Sequence, residues 1–536
     1  MKKYFLFLIL LSIFTGCFKT DKSKITMPYF EDFKNTNNYS LDAGAKFDPN
    51  ISASKGSGSV KFTKTGNSWV MSDRIISDIR IPVTPGSTYT LSFKSITSAW
   101  PPPSLEVYGS MGGDNGAIEN SDGTMCANSQ KDTWEENFIS IKIPKNDSIK
   151  YFQIKILMLP KKGINAPIWI DDIKFQKGIH SATKNIQKKS FSGKITKVDN
   201  LGNIEIKENG KFKPFFPIGI YTDENRKDWS IYKKLGFNTN MWAASAQAIK
   251  KAKEAGLYSA MQIVQYIVPE DEDWIPQDPK KKIAHLHKTL QEIKDKGLWS
   301  DLLFYYVDNE FYHLNDNFTH IIDLIHKQDN NSHPIYMLSG AYGMARKYNN
   351  YIDFTGTYVA QDGFETPIIE AFELLDNTPN QKQPVVFAQI NRGVGKNFRA
   401  IFYAALAKGA KGVGFWRDGG SAGKIDSRPI AKQLPIIAKE VKNLLPVIRT
   451  DHKNNLKLLC NNEKIIFGTR IFNNKGYIII SNPSGNTQKG IFTLKNIFYK
   501  ANNIRDYFSN KIITKVDNNK FSITLDKYEA TVLELD

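Results

Sequence analysis

The sequence has little cysteine, little histidine and no long apolar run after its first residues, and each shortage excludes a class of protein. Only 3 of the 536 residues are cysteine, so a disulfide framework does not hold the fold together. The 8 histidines include no H-E-x-x-H spacing, and His285 and His287 point two ways on a predicted helix, which disfavours a zinc centre. No later stretch of 18 apolar residues occurs, so no membrane-spanning helix is predicted in the mature chain.

Charge and composition describe a folded protein without a nucleic-acid partner. The net charge is +18, yet the excess of lysine is spread along the chain and reads as a solvated surface. Neither a zinc-finger spacing nor an RNA-binding signature accompanies it, so we expect no nucleic-acid binding. The hydrophobic fraction of 41% and the charged fraction of 24% are ordinary for globular domains. The length predicts about three domains.

The N-terminus has the features of an export signal. Two lysines follow Met1, an apolar run extends from Tyr4 to Ile13, and Thr15 and Gly16 precede Cys17. This ending resembles the lipobox of bacterial lipoproteins, although Phe14 replaces the usual aliphatic residue. The resemblance implies removal of residues 1–16, lipidation at Cys17 and a tether over 17–26. We therefore expect an exported protein that is lipid-anchored in the bacterial cell envelope; an ordinary secretory signal is the alternative.

Residues 27–178 predict a β-sandwich, because short apolar or alternating runs are separated by Gly, Pro and Asn turns. The ending from Trp169 to Phe175 resembles the last strand of jelly-roll carbohydrate-binding modules, in which a similar Asp pair lies near a structural calcium. The resemblance implies a sugar-binding module with a possible calcium site close to Asp171 and Asp172. Trp100 is the first candidate for an aromatic sugar platform, with Trp69 and Trp134 as others, and a core position is the alternative for each.

The rest of the chain predicts a barrel between a linker and a second β domain. Residues 179–213 contain a polar linker and then a hairpin, whose Asn209-Gly210 pair is typical of a type I′ turn. Apolar strands alternate with amphipathic helices eight times over 214–450, which predicts a (β/α)₈ barrel. A doubly wound open sheet is the alternative, but no G-x-G-x-x-G or P-loop opens the first unit. Residues 451–536 return to strands and predict a C-terminal β-sandwich.

The active site of such a barrel lies at the carboxyl ends of its strands, and the richest predicted end is Asp308-Asn309-Glu310. This run resembles the fourth strand of clan A glycoside hydrolases, and the lead-in over 209–221 resembles families 2 and 5. The resemblance implies that Glu310 is the general acid/base and that Asn309 binds the sugar. Candidate substrate contacts at the other strand ends are Tyr221, Trp242, Tyr358, Gln389 and Trp416, the last resembling the Trp of the eighth strand.

Strand 7 departs from the clan, because Gln389 stands where the nucleophilic Glu is found. An amide cannot form a glycosyl ester, so a second carboxylate is needed from elsewhere. Asp418 is the first choice, because it shares side-chain parity with Trp416 and would face the barrel mouth with it. Asp223, Asp362 and Glu365 are reserves, and a solvated loop position is the alternative for each.

Together these patterns predict a surface-tethered glycoside hydrolase with a carbohydrate substrate, no catalytic cofactor or metal, and contact with the membrane only through its lipid anchor. The alternative is a non-hydrolytic glycan-binding lipoprotein with a degenerate barrel. The two hypotheses differ in whether a second carboxylate completes the site.

Overall fold

The fold is taken from a computed structural model. It describes residues 29–34, 37–42, 44–55, 57–63, 73–98, 103–114, 116–120, 124–128, 130–158, 167–178, 188–223, 225–267, 279–309, 317–339, 348, 350–360, 382, 384–390, 395, 397–418, 423–495 and 501–536. Within these ranges no helix is long and apolar enough to cross a membrane.

The N-terminal module consists of two antiparallel sheets. Its strands are β1 (Tyr29–Glu31), β2 (Tyr39–Asp42), β3 (Lys46–Asp48), β4 (Ser59–Phe62), β5 (Arg74–Ser77), β6 (Ile81–Pro82), β7 (Thr88–Thr97), β8 (Ser104–Gly113), β9 (Gly116–Asn120), β10 (Thr124–Ala127), β11 (Glu135–Lys142), β12 (Tyr151–Met158) and β13 (Ile168–Lys177). The first sheet has the order β11-β7-β13-β4-β3, with β1 beside β13. The second has the order β10-β8-β12-β5-β2, with β9 beside β8 and β6 beside β12.

The core of the module lies between these two sheets. Alternate residues of each long strand point inward, so that Phe93 and Phe175 of one sheet meet Phe152 and Ile154 of the other. The rings of Phe152 and Phe175 stack with centroids 5.1 Å apart. The predicted β-sandwich is confirmed, and its hydrophobic alternation has the period of two that half-buried strands require.

A four-stranded antiparallel sheet precedes the barrel, made of β14 (Phe191–Ser192), β15 (Thr196–Val198), β16 (Ile204–Glu208) and β17 (Lys211–Phe215). Asn209 and Gly210 both have positive φ, 50° and 79°, as a type I′ turn requires. Val198, Ile204 and Ile206 pack with residues from the barrel interior. The region predicted as linker and hairpin therefore includes a sheet that belongs to the barrel's core.

The central domain is a closed barrel of eight parallel strands, as predicted. They are β18 (Ile218–Ile220), β19 (Thr239–Ala243), β20 (Tyr258–Gln262), β21 (Leu302–Asn309), β22 (Ile335–Ser339), β23 (Phe354–Ala360), β24 (Val385–Ile390) and β25 (Gly412–Phe415). Its interior is filled by aromatic rings: Phe304 contacts Tyr336, Phe354 and Phe387 at centroid distances of 5.3 to 5.6 Å. Among the described residues, the barrel interior is thus packed with side chains.

Helices surround the barrel in the described ranges. They are α1 (Ser230–Lys234), α2 (Ala246–Glu254), α3 (Val264–Ile267), α4 (Pro279–Asp295), α5 (Asn317–Asp329), α6 (Phe398–Ala407) and α7 (Leu434–Ile448), with short 3₁₀ turns at Trp299–Asp301, Ile425–Ser427 and Pro429–Lys432. Ser245 caps α2, because its side chain accepts a hydrogen bond from the backbone N–H of Ala248. Pro446 lies inside α7, near its end.

The C-terminal domain is a second β-sandwich. Its strands are β26 (Leu458–Cys460), β27 (Ile466–Phe472), β28 (Lys475–Ser481), β29 (Gln488–Leu494), β30 (Asn503–Asp506), β31 (Ile512–Lys515), β32 (Lys520–Leu525) and β33 (Ala530–Leu535). The sheets β26-β29-β32 and β27-β28-β33-β30-β31 enclose one apolar core that includes Ile478, Phe492 and Leu533.

This domain packs on α6 of the barrel through a buried arginine. Arg470 is 0% exposed, and its guanidinium donates to the carbonyl oxygens of Leu406 and Ala407 at the end of α6. Burial lowers the pKa of Arg470 to about 10. A cation at a helix C-terminus satisfies carbonyls that have no partner within the helix and opposes the negative end of its dipole. The contact fixes the C-terminal domain against the barrel wall.

Candidate functional site

The described part of the barrel mouth is lined by an aromatic cluster of Tyr221, Trp242, Tyr306 and Trp416. Tyr221 directly follows β18, and its ring lies 5.6 Å from Trp242, 6.0 Å from Tyr306 and 5.0 Å from Trp416. Tyr221 is buried, whereas both tryptophans are only partly buried. The fold therefore brings together three of the predicted substrate contacts, Tyr221, Trp242 and Trp416. They lie at the carboxyl ends of β18, β19 and β25, the first two strands and the last strand of the barrel.

Hydrogen bonds and stacking hold this cluster in place from below. The hydroxyls of Tyr221 and Tyr306 share a hydrogen bond, and Tyr306 stacks on Tyr336 with centroids 5.2 Å apart. Tyr336 in turn packs on Phe387 in the barrel interior. Because these aromatic side chains are already held in place, they lose little conformational entropy when a ligand packs on them.

Asn240 positions Trp242 and was not found by sequence reasoning. It is fully buried, and its Oδ1 accepts hydrogen bonds from the backbone N–H of Trp242 at 2.9 Å and from the hydroxyl of Thr222 at 3.1 Å. Among the described residues its Nδ2 has no partner. In the sequence it is an Asn on the predicted second strand, two residues before Trp242. An Asn in a hairpin or loop would look the same.

Asp418 does not present a free carboxylate to the mouth, contrary to the prediction. It is 2% exposed, and three donors occupy its oxygens: Arg226 Nη1 at 2.8 Å, the Tyr232 hydroxyl at 2.8 Å and the backbone N–H of Ile425 at 2.7 Å. The alternation of side chains along the strand does not extend to Asp418, because β25 ends at Phe415 and Arg417 has a φ of +54°. These contacts favour a structural role for Asp418 over the predicted catalytic one.

Arg226 links the loop after β18 to the loop after β25. Besides Asp418 it binds Asp426, with Nη2 2.8 Å from Oδ2. Partial burial opposes the charged form, but the carboxylates of Asp426 and Asp418 raise the pKa of Arg226 above its usual value. The hydrogen bond from Arg226 lowers the pKa of Asp426. Arg428 adds bonds to the carbonyl oxygens of Arg417 and Gly423, so the loop that carries Trp416 is held at several points.

Among the reserves for the second acid, Asp223 alone lies in the described part of the chain. It is half-buried, and its Oδ1 accepts from the backbone N–H of Asn225 at 3.0 Å. Its own N–H donates to the Tyr232 hydroxyl at 3.1 Å, which places it beside the Asp418 network.

Several predicted site residues are described only as backbone positions. Asn309 ends β21 and pairs with Ser339, while Tyr358 on β23 pairs with Gln389 on β24, which pairs with Gly414 on β25. Tyr358 and Gln389 are thus neighbours near the strand ends that lead to Trp416. The other predicted positions lie outside the described residues: Cys17, Trp69, Trp100, Glu310, Asp362 and Glu365.

The Asp pair of the N-terminal module does not fit the expected calcium site. Asp172 accepts hydrogen bonds from the Ser54 hydroxyl at 2.6 and 2.7 Å and pairs with Lys94 Nζ at 2.7 Å. Asp171 accepts from the backbone N–H of Ala53 at 2.6 Å. Burial raises the pKa of Asp171 to about 6. Calcium needs six to eight oxygen ligands, whereas an ammonium and neutral donors already occupy these oxygens.

No group of three or more His, Cys, Asp or Glu side chains in the described ranges is arranged to hold a metal ion. Trp134 directly precedes β11 and is partly buried, so it is neither a core residue nor a fully exposed platform.

The outward face of the second sheet carries a group of polar and aromatic side chains that the sequence reasoning did not single out. Here "outward face" means the side of the sheet opposite the sandwich core, and its central residues are Arg74, Glu106, Tyr108 and Lys155. Register places Tyr108 opposite Lys155, and Glu106 and Arg74 each opposite Leu157. Lys155 Nζ lies 5.4 Å from the centroid of the Tyr108 ring. The signal was available: Lys155 is the charged residue of a mostly apolar strand and lies at an outward position.

Comparison with known protein families gives a match in the N-terminal region of the chain. Residues 22–160 match a family model described as a carbohydrate binding domain. No curated protein matches the chain.

Solved structures similar to parts of the chain include two enzymes and one binding module. An alpha-amylase from Geobacillus thermoleovorans is 12% identical, with 60% of this chain and 98% of that chain covered and a TM-score of 0.42. The xylanase Xyn30A from Clostridium acetobutylicum is 11% identical, with coverages of 60% and 96% and a TM-score of 0.37. The CBM22-2 xylan-binding domain of Paenibacillus barcinonensis Xyn10C is 14% identical, with coverages of 28% and 99% and a TM-score of 0.22. Over residues 22–160 this chain is thus similar to the carbohydrate binding domain family.

Proposed function

We propose that this protein is a surface-tethered glycoside hydrolase, which captures a glycan with its N-terminal module and cleaves a glycosidic bond at the carboxyl end of its barrel. The observation that carries the proposal is the cluster of Tyr221, Trp242 and Trp416 at that end. Aromatic rings pack on the apolar faces of sugar rings, and partly buried tryptophans at a barrel mouth are suited to that contact. The carbohydrate-binding module supports a glycan as the ligand.

In this proposal Glu310 protonates the departing glycosidic oxygen and Asn309 holds the substrate beside it. Glu310 follows β21 directly, and β21 supplies Tyr306 to the aromatic cluster. A general acid must hold its proton near neutral pH, which an enclosed aromatic setting favours by penalising the carboxylate. No cofactor is required for this chemistry.

The second carboxylate then comes from a loop. Gln389 cannot act as a nucleophile, and Asp418 is occupied by Arg226 and Tyr232. Asp223, Asp362 and Glu365 are the candidates that remain. A separation of ~5 to 5.5 Å from Glu310 would give retention of configuration, and ~6.5 to 9.5 Å would give inversion.

A non-hydrolytic glycan-binding barrel is the second candidate, and a specific observation favours it. The backbone of Gln389 lies on β24, the seventh strand of the barrel, where the clan A hydrolases that the sequence resembles carry their nucleophile. An amide at that position and a structurally engaged Asp418 are what a barrel that retains sugar binding without cleavage would have.

The variant Glu310→Gln distinguishes the hydrolase from the non-hydrolytic barrel. The turnover of the variant and of the wild type is measured on a panel of polysaccharides. The amide keeps the shape of the side chain and removes the proton, so turnover should fall by roughly 10² to 10⁴. Glu254→Gln, an exposed change on α2, is the matched control and should leave turnover unchanged. Activity of Glu310→Gln within a few-fold of wild type would place the chemistry elsewhere. A wild type that binds a glycan but cleaves none would favour the non-hydrolytic candidate.

A further inference from the structure

The outward face of the second sheet holds two opposite charges that are half-buried and have no partner in the described part of the chain. Lys155 on β12 makes no ion pair or hydrogen bond to the described residues, and neither does the carboxyl group of Glu106 on β8. An unpaired charge that has lost part of its hydration is costly to the folded protein. Such groups persist where a ligand supplies the missing partner.

The cationic side of the face consists of Lys155 and Arg74. Burial lowers the pKa of Lys155, and the positive charge of Arg74 lowers it further. The Nε and Nη2 groups of Arg74 donate hydrogen bonds to the carboxylate of Asp42 at the edge of the sheet. Asp42 balances the charge of Arg74, so when Glu106 carries a proton Lys155 lacks a counter-charge, which an anionic group of a ligand would supply.

The other side of the face supplies a ring and a hydrogen-bonding carboxyl group. Tyr108 lies opposite Lys155, and Glu106 is two residues away on the same strand, a distance of about 6.7 Å along β8. Burial raises the pKa of Glu106 to about 7, so near neutral pH part of the population carries a proton and can donate. A sugar ring over Tyr108 can therefore reach a cation at one end and a carboxyl group at the other.

We propose that this face binds an anionic sugar unit, with a uronate carboxylate or a sulfate ester at Lys155 and Arg74, the ring on Tyr108 and a hydroxyl group at Glu106. The inference rests on the proposed function of the module as a glycan binder and names the class of its ligand. It distinguishes the module from a binder of neutral glycans, which would leave Lys155 without a counter-charge.

The test uses the full-length protein and polysaccharides in matched charged and neutral forms. Polygalacturonate is compared with its carboxyl-reduced form, and a carrageenan with its desulfated form, by isothermal titration calorimetry. We expect at least one charged form to bind about tenfold or more tightly than its neutral counterpart, since a charged hydrogen bond is worth that much. The pair that shows the difference identifies carboxylate or sulfate as the recognised group.

Lys155→Gln and Lys174→Gln separate a specific contact from general attraction to a basic protein. Lys174 lies on β13 in the opposite sheet, is half-buried like Lys155, and its loss changes the net charge by the same amount. Lys155→Gln should lower the affinity for the charged glycan about tenfold, and Lys174→Gln should leave it within twofold of wild type. Equal losses in the two variants would overturn the proposal.

Glu106→Gln provides an independent test. Raising the pH from 6 to 8 ionises Glu106, so the wild type should bind the anionic glycan several-fold more weakly at pH 8; Glu106→Gln should show no such loss. Among the described residues, Tyr108 interacts electrostatically with Glu106, and Arg74 and Lys155 lie on the same outward face. Equal affinity for charged and neutral forms would overturn the anionic ligand while leaving glycan binding intact. Binding of no glycan at all would overturn the proposed function of the module itself.

Discussion

Replacing Lys411 by methionine should change how the stability of the barrel depends on pH. Lys411 precedes β25 and is 2% exposed, and its Nζ donates to the carbonyl oxygens of Ile448 and Thr450 at the end of α7. Burial lowers its pKa from 10.5 to about 7, and the charge of Arg470 adds to the effect. Lys411 thus caps the C-terminal end of α7, although its burial disfavours the charged form of its side chain.

Proton linkage gives the direction and the size of this change in stability with pH. In the unfolded chain the pKa of lysine is about 10.4, so between pH 7 and pH 10 the unfolded state holds a proton that the folded state has released. Stability rises with pH wherever the unfolded state binds more protons. At ~1.4 kcal/mol for each unit of pKa, the whole window is worth at most about 5 kcal/mol, of which about 2.5 kcal/mol falls between pH 6 and pH 9. Lys411→Met lacks this contribution, so it should gain less stability, or lose more, than wild type as the pH rises.

Scanning calorimetry at pH 6, 7.5 and 9 measures the effect. For a domain of this size ~1 kcal/mol shifts the melting temperature by about 2 to 4 °C, so wild type should gain about 5 to 10 °C on the variant between pH 6 and pH 9. Lys439→Met, an exposed change on α7, is the control and should follow the wild-type curve. Parallel curves for wild type and Lys411→Met would refute the reasoning, because they would mean that Lys411 keeps an ordinary pKa in the fold.

Two further predictions concern the loop of strand 8 and the N-terminus. Asp418→Asn should destabilise the protein by about 1 to 3 kcal/mol in thermal unfolding, because Arg226 loses a buried carboxylate but keeps Asp426. Turnover on a cleaved glycan should stay within about tenfold of wild type. An unchanged melting temperature with a 10³-fold loss of turnover would restore the catalytic role. Cys17→Ser should release the protein from the membrane fraction of the producing bacterium if Cys17 is lipidated; a variant that stays in that fraction, with a native protein that carries no lipid by mass spectrometry, would contradict the anchor.

The architecture could be predicted because it depends on periodicity, which a single sequence displays. Alternation with a period of two predicted the sandwiches, and the change to strand and amphipathic helix predicted the eight-stranded barrel. The Asn209-Gly210 pair predicted its turn, since both residues tolerate the positive φ that a type I′ turn requires. Local chemistry decides each of these features, so distant residues do not alter them.

The calcium expectation and the outward face show what such patterns leave out. The Asp171-Asp172 pair has the right residue type for calcium, but Lys94 reaches it from β7, a strand almost 80 residues earlier. The face formed by Glu106, Tyr108 and Lys155 depends on the pairing of β8 with β12. Neither contact can be read before the strand order is known, because sequence distance does not indicate which strands are neighbours.

Asp418 shows where parity along a strand ceases to be a guide. Alternation holds only while the backbone stays extended, and β25 ends at Phe415, two residues before Arg417 adopts a positive φ. The backbone N–H of Asp418 then donates to the carbonyl oxygen of Tyr221, and its side chain turns to Arg226 on the loop after the first strand. The same consideration applies to the missing second acid. Any carboxylate that completes the proposed site with Glu310 lies on a loop, so its position depends on what that loop packs against rather than on the strand that leads into it. Locating that carboxylate therefore calls for variants of Asp223, Asp362 and Glu365 tested one by one.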